Sequence, residues 1–176
     1  MEREVNGVTI EIVEGDITSQ DDMDAVVNAA NAELTSGGGV AGAIHQAAGP
    51  GLAEESRPLA PIHPGEAVIT GGHELPNRHV IHVLGPIYGS DKPEDELLTR
   101  CYGNALSLAE QHGLESIAFP SISTGAFGYP IEEAAEVALR TVLESAENLQ
   151  SVRRIRFVLY GEENFEAYER VLPRLL

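Results

Sequence analysis

Short runs of β-branched and aliphatic residues alternate with longer stretches of helical period along the whole chain, and this alternation constrains the fold more than any other feature. The strand-like runs are Val8–Val13, Ala25–Asn28, Ala67–Thr70, His79–Leu84, Ile117–Ser121 and Ile155–Tyr160. Between them lie Val40–Ala48, Leu52–Leu59, Glu94–Gln111, Ile131–Asn148 and Glu163–Leu172, where apolar residues recur at helical spacing. Helix starts carry their own signals: Ser90 and Asp91 precede Pro93-Glu94, and Pro130 precedes an acid-rich turn with Glu132 and Glu133. Strands that alternate with helices predict a largely parallel sheet with helices on both faces. In such sheets ligands bind beyond the carboxyl ends of the strands.

With 176 residues and 43% apolar content, the chain is long enough for one full core. No internal repeat or long linker divides it, so residues 1–176 are expected to form a single α/β domain. No run approaches the roughly 20 apolar residues of a membrane-spanning helix. The opening MEREVNGVTIEIVEGD carries acids where a targeting signal would be basic, so a cytoplasmic protein with no membrane partner is the expectation. The lone Cys101 excludes an intramolecular disulfide and reads as a small core residue on a helix.

Charge narrows the partners. The formal net charge is -17, from 28 acids against 11 bases, and Lys92 is the only lysine. A nucleic-acid backbone is bound by cations that neutralise phosphates, so no nucleic-acid partner is expected. Arg153, Arg154 and Arg156 read as the solvated edge of a strand. His73, His79 and His82 stand close in sequence, but a strand alternates faces and the three do not converge, so no metal is expected. His45 reads as a packed, hydrogen-bonded helix residue.

Two glycine-rich loops carry the chemistry. In the first, the buried run Asp24 to Asn28 leads through Asn31 to Ser36-Gly37-Gly38-Gly39-Val40 and into a helix. Residues without a Cβ let backbone N–H groups approach an anion, and a helix N-terminus adds partial positive charge. In the second, Ile117 to Ser121 leads through Ser123, Thr124, Gly125, Ala126 and Phe127 to a helix opened by Pro130, a composition suited to an anion-binding nest. Parallel strands place both loops at one edge, and two facing cradles suit a diphosphate. Gly37, Gly39 and Gly42 satisfy GxGxxG, but the long segment after Asn28 departs from the tight turn of a nicotinamide-binding domain. The absence of GK[ST] argues against a Walker triphosphatase.

Taken in order, Gly15-Asp16-Ile17-Thr18, Asn28-Ala29-Ala30-Asn31, Gly37-Gly38-Gly39-Val40, Gly42-Ala43-Ile44-His45 and Ser121-Ile122-Ser123-Thr124-Gly125 resemble the macrodomain family. Val80-Ile81-His82, Gly85-Pro86 and Phe157-Val158-Leu159-Tyr160 extend the resemblance over essentially the whole chain. It implies a three-layer αβα sandwich with a mixed, largely parallel sheet of about six strands. It also implies an ADP-ribose cleft, with ADP-ribose or an ADP-ribosylated protein as partner and no cofactor.

By that resemblance Asp16 accepts from the adenine amine beside the Ile17 backbone, and Tyr160 packs on the base. Gly37, Gly38, Gly39 and Val40, with Ser123, Thr124, Gly125, Ala126 and Phe127, hold the diphosphate and the distal ribose. Asn31 matches the asparagine that places a water near the anomeric carbon in family hydrolases. One large subgroup carries an aspartate directly after Gly-Gly-Gly-Val, where this chain has Ala41, so no carboxylate there serves as general base. The resemblance therefore implies hydrolysis of mono-ADP-ribosyl esters or of O-acetyl-ADP-ribose. A reader module without chemistry, and a phosphatase acting on ADP-ribose 1″-phosphate, stand as alternatives.

Overall fold

The computed structural model describes residues 1–176. Seven strands, β1 (Glu2–Val5), β2 (Val8–Glu14), β3 (Ala25–Ala29), β4 (Ala67–Gly71), β5 (His79–Val83), β6 (Ser116–Phe119) and β7 (Arg154–Leu159), form one sheet in the order β1-β2-β7-β6-β3-β5-β4. The five inner strands are parallel, and β1 and β4 close the edges antiparallel to β2 and β5. The sheet is therefore mixed and largely parallel, one strand larger than expected.

The additional strand is β1. Glu2, Arg3 and Glu4 are all exposed, so it shows no apolar face that periodicity would detect. What makes it is the turn: Asn6 (φ 53) and Gly7 (φ 79) both adopt the left-handed region, as a two-residue type I′ hairpin requires.

Side-chain parity assigns the layers. Val8, Ile10, Ile12, Ile155, Phe157 and Leu159 face α3 (Glu94–Gln111), α4 (Ile131–Ala146) and α5 (Glu162–Leu175) in the larger core of 33 residues. Its centre is aromatic: Phe157 stacks on Phe119 at 5.7 Å, and Tyr102 and Tyr168 each lie 5.1 Å from one of these rings. The opposite face carries only α1 (Gly39–Ala48) and α2 (Pro50–Ser56), over a core of 10 residues that includes Ile17, Val26, Ile44 and Val158. On this thinner side α1 packs chiefly on β3 and α2 on β4.

The stretch Leu52–Leu59, read as one helix, is α2 followed by a 3₁₀ turn at Arg57–Leu59. Pro58 lacks the N–H an α-helix would need there. Cys101 is buried on α3, its thiol turned to the Leu84 carbonyl, and burial pushes its pKa up to about 12.

Between the sheet and α1 lies a buried polar string. Asn28 and His82 are cross-strand partners, and the Asn28 amide donates to His82 Nδ1 at 3.1 Å. The opposite ring nitrogen, Nε2–H, then donates to Thr70 Oγ1 at 3.0 Å, and that hydroxyl donates to the Gly71 carbonyl at 3.1 Å. Burial above all, then the neighbouring His45, pushes the His82 pKa down to about 4, so the ring is neutral.

Candidate functional site

Strand order brings the predicted segments to one edge. At the carboxyl ends, β2 delivers Asp16 and Ile17, β7 delivers Tyr160, β6 delivers the 121–130 loop, and β3 delivers Asn31 and the glycine loop. From β2 to β3 is three strand spacings, about 14 Å, a span that suits an extended ligand.

The glycine loop ends in a helix start kept open. Gly38 caps α1 without any side-chain bond, and no acid occupies the first turn, whereas α3, α4 and α5 all carry carboxylates there. In a chain of net charge -17 this leaves α1 as the long helix whose N-terminal partial charge is not already met. The N–H groups of Gly38, Gly39, Val40 and Ala41 have no protein acceptor, and Gly37, Gly38 and Gly39 are exposed. Gly39 takes φ 57, which favours glycine. Gly42 has another duty: a Cβ there would meet the Gly37 carbonyl oxygen at 2.4 Å.

The second loop is strained toward the same edge. Ser123 adopts φ 69, rare for a residue with a side chain, and its buried hydroxyl has no partner. A Cβ on Gly85 would strike that hydroxyl at 2.1 Å, so the Gly85 backbone packs directly against it. Thr124 pairs with Ser121 through their hydroxyls at 2.7 Å, and the N–H groups of Ser123 to Phe127 have no protein acceptor. Phe127 is half-buried against the small cluster of Ala30, Leu34, Ile62 and Leu84, so the second loop rests on a cluster that includes the segment leading into the first. The two predicted cradles are thus joined.

Asp16 is exposed and ionised. Its Oδ1 accepts from the Thr18 hydroxyl at 2.7 Å and the Thr18 N–H at 2.8 Å, and these bonds, the hydroxyl's first, hold its pKa below the usual value. Oδ2 remains without a protein partner. Ile17 is buried and anchors the turn, while its N–H is unpaired. Tyr160 is 86% exposed, so its ring faces solvent at the end of β7. The Asn31 amide bonds Thr35, giving Nδ2–H to its carbonyl at 2.9 Å and accepting its N–H at 3.1 Å. One Nδ2 hydrogen stays free. Ala41 is buried in the first turn of α1 and supplies no acid or base.

Two expectations are corrected. Arg154 and Arg156 are not at a solvated strand edge, because β7 lies between β2 and β6, and both are drawn into ion pairs with Glu11 and Asp22. His45 is packed on α1 but its Nε2 has no hydrogen-bond partner, and burial lowers its pKa. The close approaches of Gly42 to the Gly37 carbonyl and of Gly85 to the Ser123 hydroxyl are contacts that loop composition alone does not reveal. No three His, Cys, Asp or Glu side chains come together as metal ligands, and no helix is long and apolar enough to cross a membrane.

A parallel-centred sheet with two runs of unpaired backbone N–H groups at its carboxyl edge defines an α/β domain of the kind that can present amide donors to an anion. The Macro domain family model matches residues 27–138, and the chain belongs to that family. An O-acetyl-ADP-ribose deacetylase from Citrobacter rodentium is 48% identical over 170 residues, 94% of this chain and 96% of the relative. The Oceanobacillus iheyensis macrodomain with ADP superposes with a TM-score of 0.93 at 44% identity, covering 99% of this chain and 95% of that one. The Trypanosoma brucei macrodomain in complex with ADP-ribose gives 0.85 at 38% identity, covering 92% and 68%.

Proposed function

We propose that this chain binds ADP-ribose along the carboxyl edge of its sheet and hydrolyses esters at the distal ribose, on mono-ADP-ribosylated acidic side chains or O-acetyl-ADP-ribose. The observation that carries this reading is the pair of joined cradles, each a run of unpaired backbone N–H groups, one of them at an acid-free helix start. Adenine sits over Asp16 and Ile17 beside Tyr160. The diphosphate lies between Gly37–Val40 and Ser123–Ala126, and the distal ribose lies by Phe127 and Asn31. The named relatives support the ligand and the ester chemistry.

Asn31 acts by placement. With the rest of its amide engaged by Thr35, the free Nδ2 hydrogen is left to orient a water or a ribose hydroxyl. With Ala41 offering no carboxylate, a ligand phosphate oxygen takes a proton from the water that adds to the ester carbonyl carbon, the bond from that carbon to the ribose oxygen breaks, and the proton passes to that oxygen, leaving the free carboxylic acid and a ribose hydroxyl. The cradle donors stabilise the negative charge that develops. A second reading, an ADP-ribose reader without turnover, is favoured by Ala41 alone.

The test is release of free ADP-ribose from a mono-ADP-ribosylated protein and of acetate from O-acetyl-ADP-ribose. Asn31→Ala should slow release by about 100-fold while retaining binding. Full turnover by that variant removes Asn31 from the mechanism. Tight binding with no product from the unsubstituted chain selects the reader.

A further inference from the structure

The backbone that presents Asp16 is tied into the sheet by a chain of hydrogen bonds. The Asp16 carbonyl accepts from Gln20 Nε2 at 2.8 Å, and Gln20 Oε1 accepts from Arg156 Nη1 at 2.8 Å. The Arg156 guanidinium forks onto both Asp22 oxygens at 2.8 Å each and reaches Glu11, its cross-strand partner, at 3.4 Å. Gln20 and Arg156 are each only 8% exposed. Asn77 secures the same loop by donating to the Gln20 and Met23 carbonyls at 2.7 and 2.8 Å.

Stability alone does not call for this arrangement. A partly buried ion pair contributes little over well-packed apolar side chains of the same volume, but it fixes direction, since a guanidinium fork donates to its partners in one plane only. Here the direction is passed, through one amide, to the residue two strand spacings from one diphosphate cradle and three from the other. We propose that Arg156 and Gln20 are positioning residues for base recognition, holding the Asp16–Ile17 turn where Oδ2 and the Ile17 N–H meet the edge of a 6-aminopurine. This rests on the ADP-ribose reading above. A carboxylate facing the exocyclic amine accepts its hydrogen, whereas the 6-carbonyl of hypoxanthine presents an acceptor to an acceptor. Selectivity for the amine therefore depends on where the turn is held.

The test is calorimetric titration of the full chain and two variants with ADP-ribose and with its hypoxanthine counterpart, alongside thermal melting. Gln20→Glu keeps the acceptor for Arg156 and loses the donor to the Asp16 carbonyl. Gln20→Met keeps the length and loses both. In each variant we expect the preference for adenine over hypoxanthine to fall by about 10-fold, through weaker ADP-ribose binding, with the hypoxanthine ligand little changed and Gln20→Glu melting near the unsubstituted chain. An unchanged preference, or equal loss for both ligands, overturns the positioning role. If the unsubstituted chain binds neither ligand, the ADP-ribose reading itself fails.

Discussion

Gly42 lies directly against the Gly37 carbonyl: a Cβ at residue 42 would sit 2.4 Å from that oxygen, with backbone rather than a flexible side chain in the way. The glycine loop folds back onto the first turn of its own helix, and that contact holds the unpaired N–H groups toward solvent.

Helix propensity predicts that Gly42→Ala stabilises by about 1 kcal/mol. The contact with Gly37 predicts the reverse. We expect no rise in melting temperature and a loss of ADP-ribose affinity of at least about 10-fold, read by calorimetry. A stabilised variant with normal affinity would show that the loop does not need this approach.

Ser123 stores strain for its site. Its left-handed φ and unpaired buried hydroxyl are each unfavourable, so Ser123→Gly should stabilise by about 1 kcal/mol while weakening ADP-ribose binding. Chemical denaturation and calorimetry on the same variant read the two effects. Loss of both stability and affinity would mean the serine is simply structural.

His82 makes stability depend on pH. Its imidazole is pushed from the usual 6.5 to about 4, so between those values the unfolded chain binds the proton more readily than the folded one. Stability is complete above about pH 6.5 and falls as pH drops toward 4, by up to about 3 kcal/mol. His82→Gln removes that titration. Urea unfolding should show the gap between the two proteins narrowing as pH falls from 7 to 5. A constant gap would contradict the assignment.

How much of this was legible in the sequence differs by residue. The inner strands β3 and β6 announce themselves because continuous burial requires apolar runs, whereas exposed Glu2, Arg3 and Glu4 hide β1, and only the Asn6-Gly7 turn marks it. The cradles were readable because glycine itself is the signal. Gly85 against Ser123, and Arg156 opposite Glu11, were not, since each depends on which strands become neighbours. A strand carrying Arg154 and Arg156 on one face looks solvated until β2 and the 16–24 loop cover it.

Net charge gives a kinetic expectation. An anionic ligand is repelled at long range by a chain of net charge -17, and salt screens that repulsion over about 8–10 Å. Stopped-flow association of ADP-ribose should accelerate as salt rises from about 20 to 150 mM. A slower association would point to a locally positive approach.

The central claim is that one ligand occupies the adenine, diphosphate and distal-ribose positions together. Calorimetric titration with ADP-ribose, AMP and NAD tests it most directly. ADP-ribose should bind with one-to-one stoichiometry and at least about 10-fold more tightly than either of the others. Equal affinity for AMP, preference for NAD, or no heat with ADP-ribose would contradict the account.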